Sequence, residues 1–271
     1  MKIGLIDYYL SEWHANHYPE WLRTAAGALG MQAEVCYAWA EREISPRDGV
    51  STAEWCRQNQ VQECGSIAEL CEKSDAVMVL APTNPETHLA YARAVLPCGK
   101  PTFIDKTLAP DLAEAQEIFR VSKETGTPFF SSSALRCATE LGEVEKFKSL
   151  TITAGGSNLA EYIVHPLEMA VLLLGTAEVA GVEATEGDGT RILLRGRRGR
   201  EVCIAYRSDL RYTLEVTRKD GDAETIAVKS DYFGGLMQMV LRFFADGRLP
   251  FSSDQTLEIM RLRDAILGAR Q

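Results

Sequence analysis

The sequence is poor in the features that mark membrane, disulfide-rich and nucleic-acid-binding chains. No apolar run approaches the roughly 20 residues that a bilayer span needs, and the strongest runs are 76–80 and 169–174. The apolar start, residues 1–7, is too short for a signal peptide and is interrupted by Asp7, which reads as a cytoplasmic protein. Seven cysteines, at 36, 56, 64, 71, 98, 137 and 203, form no C-x-x-C pair. An odd, scattered set argues for reduced thiols and against a disulfide framework or a thiolate zinc site. Basic charge is short: 29 Lys and Arg face 38 Asp and Glu, a net charge of -9. Such a chain repels phosphate backbones and anionic lipid, so neither nucleic acid nor a membrane is expected as partner. There is no internal repeat and no low-complexity segment.

What is present is an average globular composition, 46% hydrophobic and 25% charged over 271 residues, enough for two domains. Short apolar runs at 2–7, 34–40, 76–80, 102–105 and 128–131 alternate with helical stretches. Capping boxes at Ser51/Glu54, Ser66/Glu69 and Asp111/Glu114 mark helix starts. Pro19 is read as opening the first helix and Gly30 as ending it. Alternating strands and helices predict a Rossmann-type doubly wound parallel sheet over 1–130. Residues 131–271 read as a smaller α+β domain. Helical stretches are expected over 134–149, 161–174, 233–245 and 255–269, with an antiparallel sheet between them turned by Asp220-Gly221. The fold class is α/β.

Ligands of an open parallel sheet bind at the carboxyl ends of its strands. Those ends carry residues 7–17, 40–42, 81–88 and 105–107, which hold His14, His17 and His88; the fourth histidine is His165. Lys106 directly follows a strand, where partial desolvation suits it to polarising a hydroxyl or carbonyl. Asn84, Pro85 and His88 sit on a strand-to-helix turn whose N–H groups can face a ligand. Each residue has a plainer reading: His88 packing the helix it opens, Lys106 solvated, His14 and His17 capping or packing the first helix. Trp13 on the first loop can stack on a sugar or adenine face. The arginines 191, 195, 197, 198 and 200 read as a solvated hairpin turn, with a local anion site as the sharper alternative.

Three segments give the chain a resemblance to a known family. Asp75-Ala76-Val77-Met78-Val79-Leu80-Ala81-Pro82-Thr83-Asn84-Pro85-Glu86-Thr87-His88 is similar to D-A-V-x-x-x-T-P-x-x-x-H. Gly99-Lys100-Pro101-Thr102-Phe103-Ile104-Asp105-Lys106-Thr107-Leu108-Ala109 is similar to G-K-H-V-x-x-E-K-P-L-A. Gly155-Gly156 followed by Glu161-x-x-x-His165-x-x-Glu168 and Leu174-Gly175 is similar to the family's substrate-domain signature. The chain resembles a short member of the glucose–fructose oxidoreductase / inositol dehydrogenase (Gfo/Idh/MocA) family with a degenerate dinucleotide-binding loop.

The resemblance implies an NAD- or NADP-dependent oxidoreductase, moving hydride between nicotinamide and a sugar or polyol carbon. Lys106 would bind and polarise the reacting oxygen, and His165 would be general acid and base. Histidine suits that work because its unperturbed pKa lies near neutrality. Glu161 would orient His165 or grip a neighbouring hydroxyl, and Pro166 is expected to leave His165 at a helix N-cap. The cofactor would meet Asp7, Tyr8, Tyr9, Glu41, Pro82, Asn84, His88 and Asp105, with Glu41 the candidate for the ribose. No metal is expected in this reading, and the resemblance implies a homo-oligomer through the antiparallel sheet.

The loop after the first strand nevertheless reads Asp7-Tyr8-Tyr9-Leu10-Ser11-Glu12, with no glycine where G-x-G-x-x-G would approach a pyrophosphate. Two alternatives therefore stand beside the first reading. One is a metal-assisted lyase, isomerase or hydrolase using residues 7–17 with His88, His165 and Asp105. The other is a non-catalytic sugar sensor.

Overall fold

The computed structural model describes residues 1–144 and 146–270, and of Arg198 the backbone alone. Two compact units are present, one of residues 1–132 with 233–252, the other of 133–232 with 253–271. The sequence reading divided the chain at 130/131 and kept 233–252 with the second domain; in the structure that helical segment packs with the first unit.

In the first unit the elements run β1 (Lys2–Asp7), α1 (Trp13–Ala28), β2 (Glu34–Ala40), α2 (Thr52–Asn59), β3 (Gln62–Glu63), α3 (Ile67–Lys73), β4 (Ala76–Val79), α4 (His88–Val95), β5 (Thr102–Ile104), α5 (Leu112–Thr125) and β6 (Phe129–Phe130). All six strands are parallel, in the order β3-β2-β1-β4-β5-β6. The order reverses direction beside β1 and β4, where such sheets place ligands. The side chains of β4 are fully buried, as a strand covered on both faces must be. Gly4 in β1 has a packing reason: a Cβ there would lie 2.4 Å from the Leu70 side chain of α3. The helix starts form as read, with Ser51, Ser66 and Asp111 each capping by accepting from the N–H three residues on.

The start of α1 differs from the reading. Pro19 lies inside the helix, which begins six residues earlier at Trp13. The Glu12 carboxylate caps it by accepting from the N–H groups of His14 and Ala15. That satisfies two otherwise orphaned donors and sets the helix start at Trp13, with Pro19 accommodated in the helix at the loss of one backbone bond.

The second unit contains β7 (Ser149–Ala154), α6 (Leu159–Tyr162), α7 (Val164–Leu174), β8 (Ala177–Ala184), β9 (Thr190–Gly196), β10 (Glu201–Tyr206), β11 (Thr213–Thr217) and β12 (Ala223–Ala227). Next come α8 (Tyr232–Asp246), which from Phe233 belongs to the first unit, and α9 (Ser253–Gly268). The sheet order is β12-β11-β7-β10-β9-β8. It is mixed rather than purely antiparallel: β7 inserts between β10 and β11 and runs parallel to β10. One face alternates into a core of Leu150, Ile152, Ile192, Leu194, Val202, Ile204, Leu214 and Val216, closed by α7 and α9. The helix expected over 134–149 is two 3-10 turns, Ala134–Cys137 and Thr139–Val144; Glu145 lies outside the described residues. Among the described residues no helix is long and apolar enough to cross a membrane.

Candidate active site

The first unit gathers ionisable groups at the carboxyl ends of β1 and β5. Asp7 closes β1 and is 1% exposed. Its Oδ1 accepts from the N–H of Tyr8 (2.7 Å) and of Ala81 (3.1 Å), while Oδ2 is sealed without a partner. Ala81 holds a positive φ of 46° just after β4, so Asp7 fixes a backbone turn that few non-glycine residues adopt. Burial, together with the nearby Glu12 carboxylate, pushes the Asp7 pKa well above the usual carboxylate range. Burial also raises Glu12, against the opposing pull of His14 and the N–H donors of α1.

The side chain of Asp105, after β5, faces His14 Nδ1 and stands 3.5 Å from the Tyr18 hydroxyl. Burial pulls its carboxyl upward, but His14 and Lys106 outweigh that and hold it below its ordinary value. Lys106 is 9% exposed, and its Nζ donates to the Pro82 carbonyl at 3.2 Å. The Lys106–Thr107 peptide is cis.

The other residues assigned to a cofactor are engaged within the chain. Glu41 accepts from the Tyr91 hydroxyl at 2.7 Å, and the Asn84 amide donates to Glu86 at 2.9 Å. Tyr8 lies under the Arg42 guanidinium and edge-on to Tyr9. His88 is fully buried between the carbonyls of Leu80 (2.7 Å) and Leu108 (3.0 Å). Burial lowers its pKa although both carbonyls favour its protonated ring. His88 thus ties the end of β4 to the loop after β5. His17 turns back to the Trp13 carbonyl at 2.6 Å.

The second unit holds Glu161 and His165 on a nearly continuous helical stretch. Asn158 caps α6 through the Glu161 N–H, and Glu161 Oε2 accepts from the Asn158 amide at 3.1 Å. Pro166 has no N–H to offer the Tyr162 carbonyl, which explains the break at Ile163 between α6 and α7. Pro166 sits in the first turn of α7, where its missing donor costs little, and His165 is helical rather than the expected N-cap. Glu161 makes no recorded hydrogen bond to His165. The ring is seated instead by Ser133, whose Oγ lies 2.7 Å from Nδ1.

Ser133 is itself held. Its N–H donates to Glu168 Oε1 at 3.0 Å, and Glu168 Oε2 takes the Arg136 Nε at 2.7 Å in a pair whose side chains are each 3% exposed. Gly155 and Gly156 give close approach. A Cβ on Gly156, whose φ is +146°, would lie 2.1 Å from the Tyr162 ring, and the Tyr206 and Tyr212 hydroxyls donate to the two glycine carbonyls.

Sequence reasoning placed Glu12 on the glycine-free loop but missed its role as a helix cap, and it assigned no role to Ser133 or Arg136. Glutamate is an uncommon N-cap, and the partners of Ser133 lie about thirty residues away, so no local pattern exposed them.

A dinucleotide of the kind this sheet order accommodates would need free N–H groups and open space at the start of α1. Counting the G-x-G-x-x-G spacing from Asp7 puts Tyr9 and Glu12 at the second and third glycine places. Two first-turn N–H groups are already spent on Glu12, and Asp7 and Glu12, both buried and acidic, flank the start of α1. The residues present do not fit that group in its usual seat. Among the described residues no three His, Cys, Asp or Glu side chains are grouped to hold a metal ion, so the metal-assisted reading has no ligand set.

Comparison with known proteins supports the resemblance drawn from the motifs. Residues 33–132 match the sequence model described as "Oxidoreductase family, NAD-binding Rossmann fold" (GFO_IDH_MocA). The uncharacterized oxidoreductase YhhX of Escherichia coli (strain K12) is 33% identical over 66 residues, 23% of this chain; the match spans 19% of that relative's length. Among solved structures, a dehydrogenase (MviM) from Clostridium difficile superposes with a TM-score of 0.78 at 16% identity, covering 99% of both chains. UDP-N-acetylglucosamine 3-dehydrogenase GnnA from Acidithiobacillus ferrooxidans gives 0.78 at 15%, covering 99% of this chain and 97% of its own. A 3-ketoreductase from Actinomadura kijaniata, in complex with TDP-benzene and NADP, gives 0.74 at 18% over 99% and 97%. At these identities the superpositions show the fold.

Proposed function

Starting from the resemblance to the Gfo/Idh/MocA oxidoreductases, we propose that the protein is an enzyme acting on a hydroxyl or carbonyl of a sugar-like small molecule. Lys106 binds and polarises the reacting oxygen, His165 moves its proton, and Glu161 grips a neighbouring hydroxyl. The observation that carries this reading is the seating of His165. Ser133 Oγ meets one ring nitrogen, and Ser133 is itself held by the buried Glu168–Arg136 pair, an arrangement that fixes the orientation of an imidazole suited to proton transfer. The sugar-nucleotide dehydrogenase among the fold neighbours supports the substrate class. We place the protein in the cytoplasm and expect a homo-oligomer assembled through the mixed sheet.

The full reaction implied by the resemblance is hydride transfer between a sugar or polyol carbon and NAD or NADP, and the NAD-binding fold of the matched family supports it. The Glu12 cap favours a second reading, redox-neutral proton chemistry on the same substrate class. It carries more weight here, because it concerns this chain's own phosphate seat. A non-catalytic sugar sensor would retain ligand binding in Lys106→Met and His165→Ala variants and show no turnover in any form. Binding of myo-inositol, D-glucose and UDP-N-acetylglucosamine, read by tryptophan fluorescence and saturation-transfer NMR, tests the substrate class. Weakening by at least about tenfold in Lys106→Met is expected for a lost charge-assisted hydrogen bond. No binding of any of the three by the unaltered protein would overturn the proposal.

A further inference from the structure

His14 and Asp105 make a second proton-handling pair, in the first unit, that the roles above leave unused. Asp105 is 1% exposed and His14 8%. The Tyr18 ring stacks on the imidazole, with centroids 4.9 Å apart and planes at 12°. One face of the imidazole is therefore fixed by the ring beneath it. A carboxylate on Nδ1 fixes the tautomer that carries its proton there, leaving the Nε2 lone pair outward. Nε2 has no hydrogen-bond partner among the described residues and is not one of the sealed, unpartnered atoms. Trp13, 42% exposed despite its size, packs edge-on to the imidazole with ring centroids 5.1 Å apart. Its indole packs against His17 (4.6 Å), Phe233 (5.2 Å) and Trp21 (5.4 Å), which support it from within the first unit. An aromatic face next to a proton acceptor suits a molecule with an apolar C–H face and hydroxyl edges.

We propose that His14, oriented by Asp105, exchanges a proton with a hydroxyl of a polyol or reducing sugar stacked on Trp13. The inference rests on the sugar-like substrate class proposed above. In the step, the O–H bond breaks with its electron pair left on oxygen, and an Nε2–H bond forms. Nδ1 keeps its proton, and the Asp105 carboxylate balances the new positive charge. The proton returns to the same or a neighbouring oxygen, so no oxidant or reductant enters. Asp105 is the positioning residue and His14 the one that touches the ligand.

The test is the rate at which diethyl pyrocarbonate acylates each histidine of the full chain, read by peptide mass spectrometry, with and without myo-inositol or D-glucose. His14 should react faster than the buried His88, slow by at least about tenfold in Asp105→Asn, recover in Asp105→Glu, and be protected by the sugar or polyol. Ring nitrogen-15 NMR of the unaltered protein checks the tautomer should Asp105→Asn fail to fold; a protonated Nδ1 and a bare Nε2 are expected on His14. A His14 as inert as His88, in a protein that still binds sugar, overturns this inference alone. A reactive His14 that neither compound protects, in a protein whose fluorescence neither compound changes, overturns the substrate class and this inference with it.

Discussion

In the second unit His165 is held by a short chain of contacts. His165 rests on Ser133, Ser133 on Glu168, and Glu168 on Arg136, all within 3.0 Å contacts. In the first unit the sheet order is kept but its ligand seat is altered. The N–H groups at the start of α1 hold Glu12, and Asp7 lies beneath with an unpartnered oxygen. The difference teaches that a parallel sheet and its anion seat are separable. Strand order follows from apolar runs and crossover helices, whereas the seat depends on a handful of loop side chains. The contacts that seat His165 are in place, while the first N–H groups of α1 are taken by the chain's own Glu12.

The largest expected effect would break the better-preserved side. Arg136→Met removes the guanidinium that faces the buried Glu168 carboxylate, so denaturant unfolding should show a loss of about 3–5 kcal/mol. A loss below about 1 kcal/mol would mean that the pair does not support the His165 seat.

The next contrast is in pH, and the two units should respond with opposite signs. In the first, the Asp7 pKa is raised on folding, so its contribution is present at low pH and lost as pH rises above the unfolded value of 3.8. Asp7→Asn should therefore raise stability at neutral pH by roughly 2–4 °C in Tm, and the gain should vanish below pH 3.8. In the second, Glu140 accepts from Ser230 Oγ and from the N–H groups of Lys229 and Ser230. Burial opposes its ionisation, but these bonds hold its pKa down at about 2, against an ordinary 4.5. Its contribution is present above pH 4.5 and lost as pH falls towards 2. Glu140→Gln should thus lower Tm at pH 7 and converge on the unaltered protein in acid. Thermal melts across pH check both.

Smaller still is the cap. Glu12→Ala removes an N-cap worth about 1 kcal/mol and also removes a neighbour that repels Asp7, so the net loss in Tm should be slight. The sharper readout is anion binding. Inorganic phosphate should raise the melting temperature of Glu12→Ala more than that of the unaltered chain, because the N–H groups of α1 are freed. The smallest effect is expected from Pro166→Ala, which restores an N–H opposite the Tyr162 carbonyl. A gain of a few tenths to about 1 kcal/mol would be seen in urea unfolding, set against the more flexible unfolded chain.

Much of this fold was legible in the residues. Strand β2 falls at 34–40 as read, β4 within 76–80, and the Ser51, Ser66 and Asp111 caps form, because each depends on neighbours a few positions away. The α1 start was misread because Pro19 is a strong local signal and Glu12 a weak one, although Glu12 satisfies two donors. The parallel β7–β10 pair was hidden because strand neighbours are set by packing, not by sequence adjacency. In the site, the motifs pointed to Lys106, Glu161 and His165. The contacts that seat or engage them were not visible: Ser133 for His165, the Pro82 carbonyl for Lys106, His14 for Asp105. Those contacts join residues from 24 to 91 positions apart, and only folding brings them together.

The central claim, a phosphate seat filled by the chain's own carboxylate, is tested most directly by titrating the unaltered protein with NADH and NADPH. Nicotinamide emission and tryptophan quenching would report binding. The account predicts no saturable binding of either nucleotide. Saturable binding of either would contradict it, showing that the Asp7–Glu12 loop yields or that the pyrophosphate is held elsewhere, and would restore hydride transfer as the leading reading.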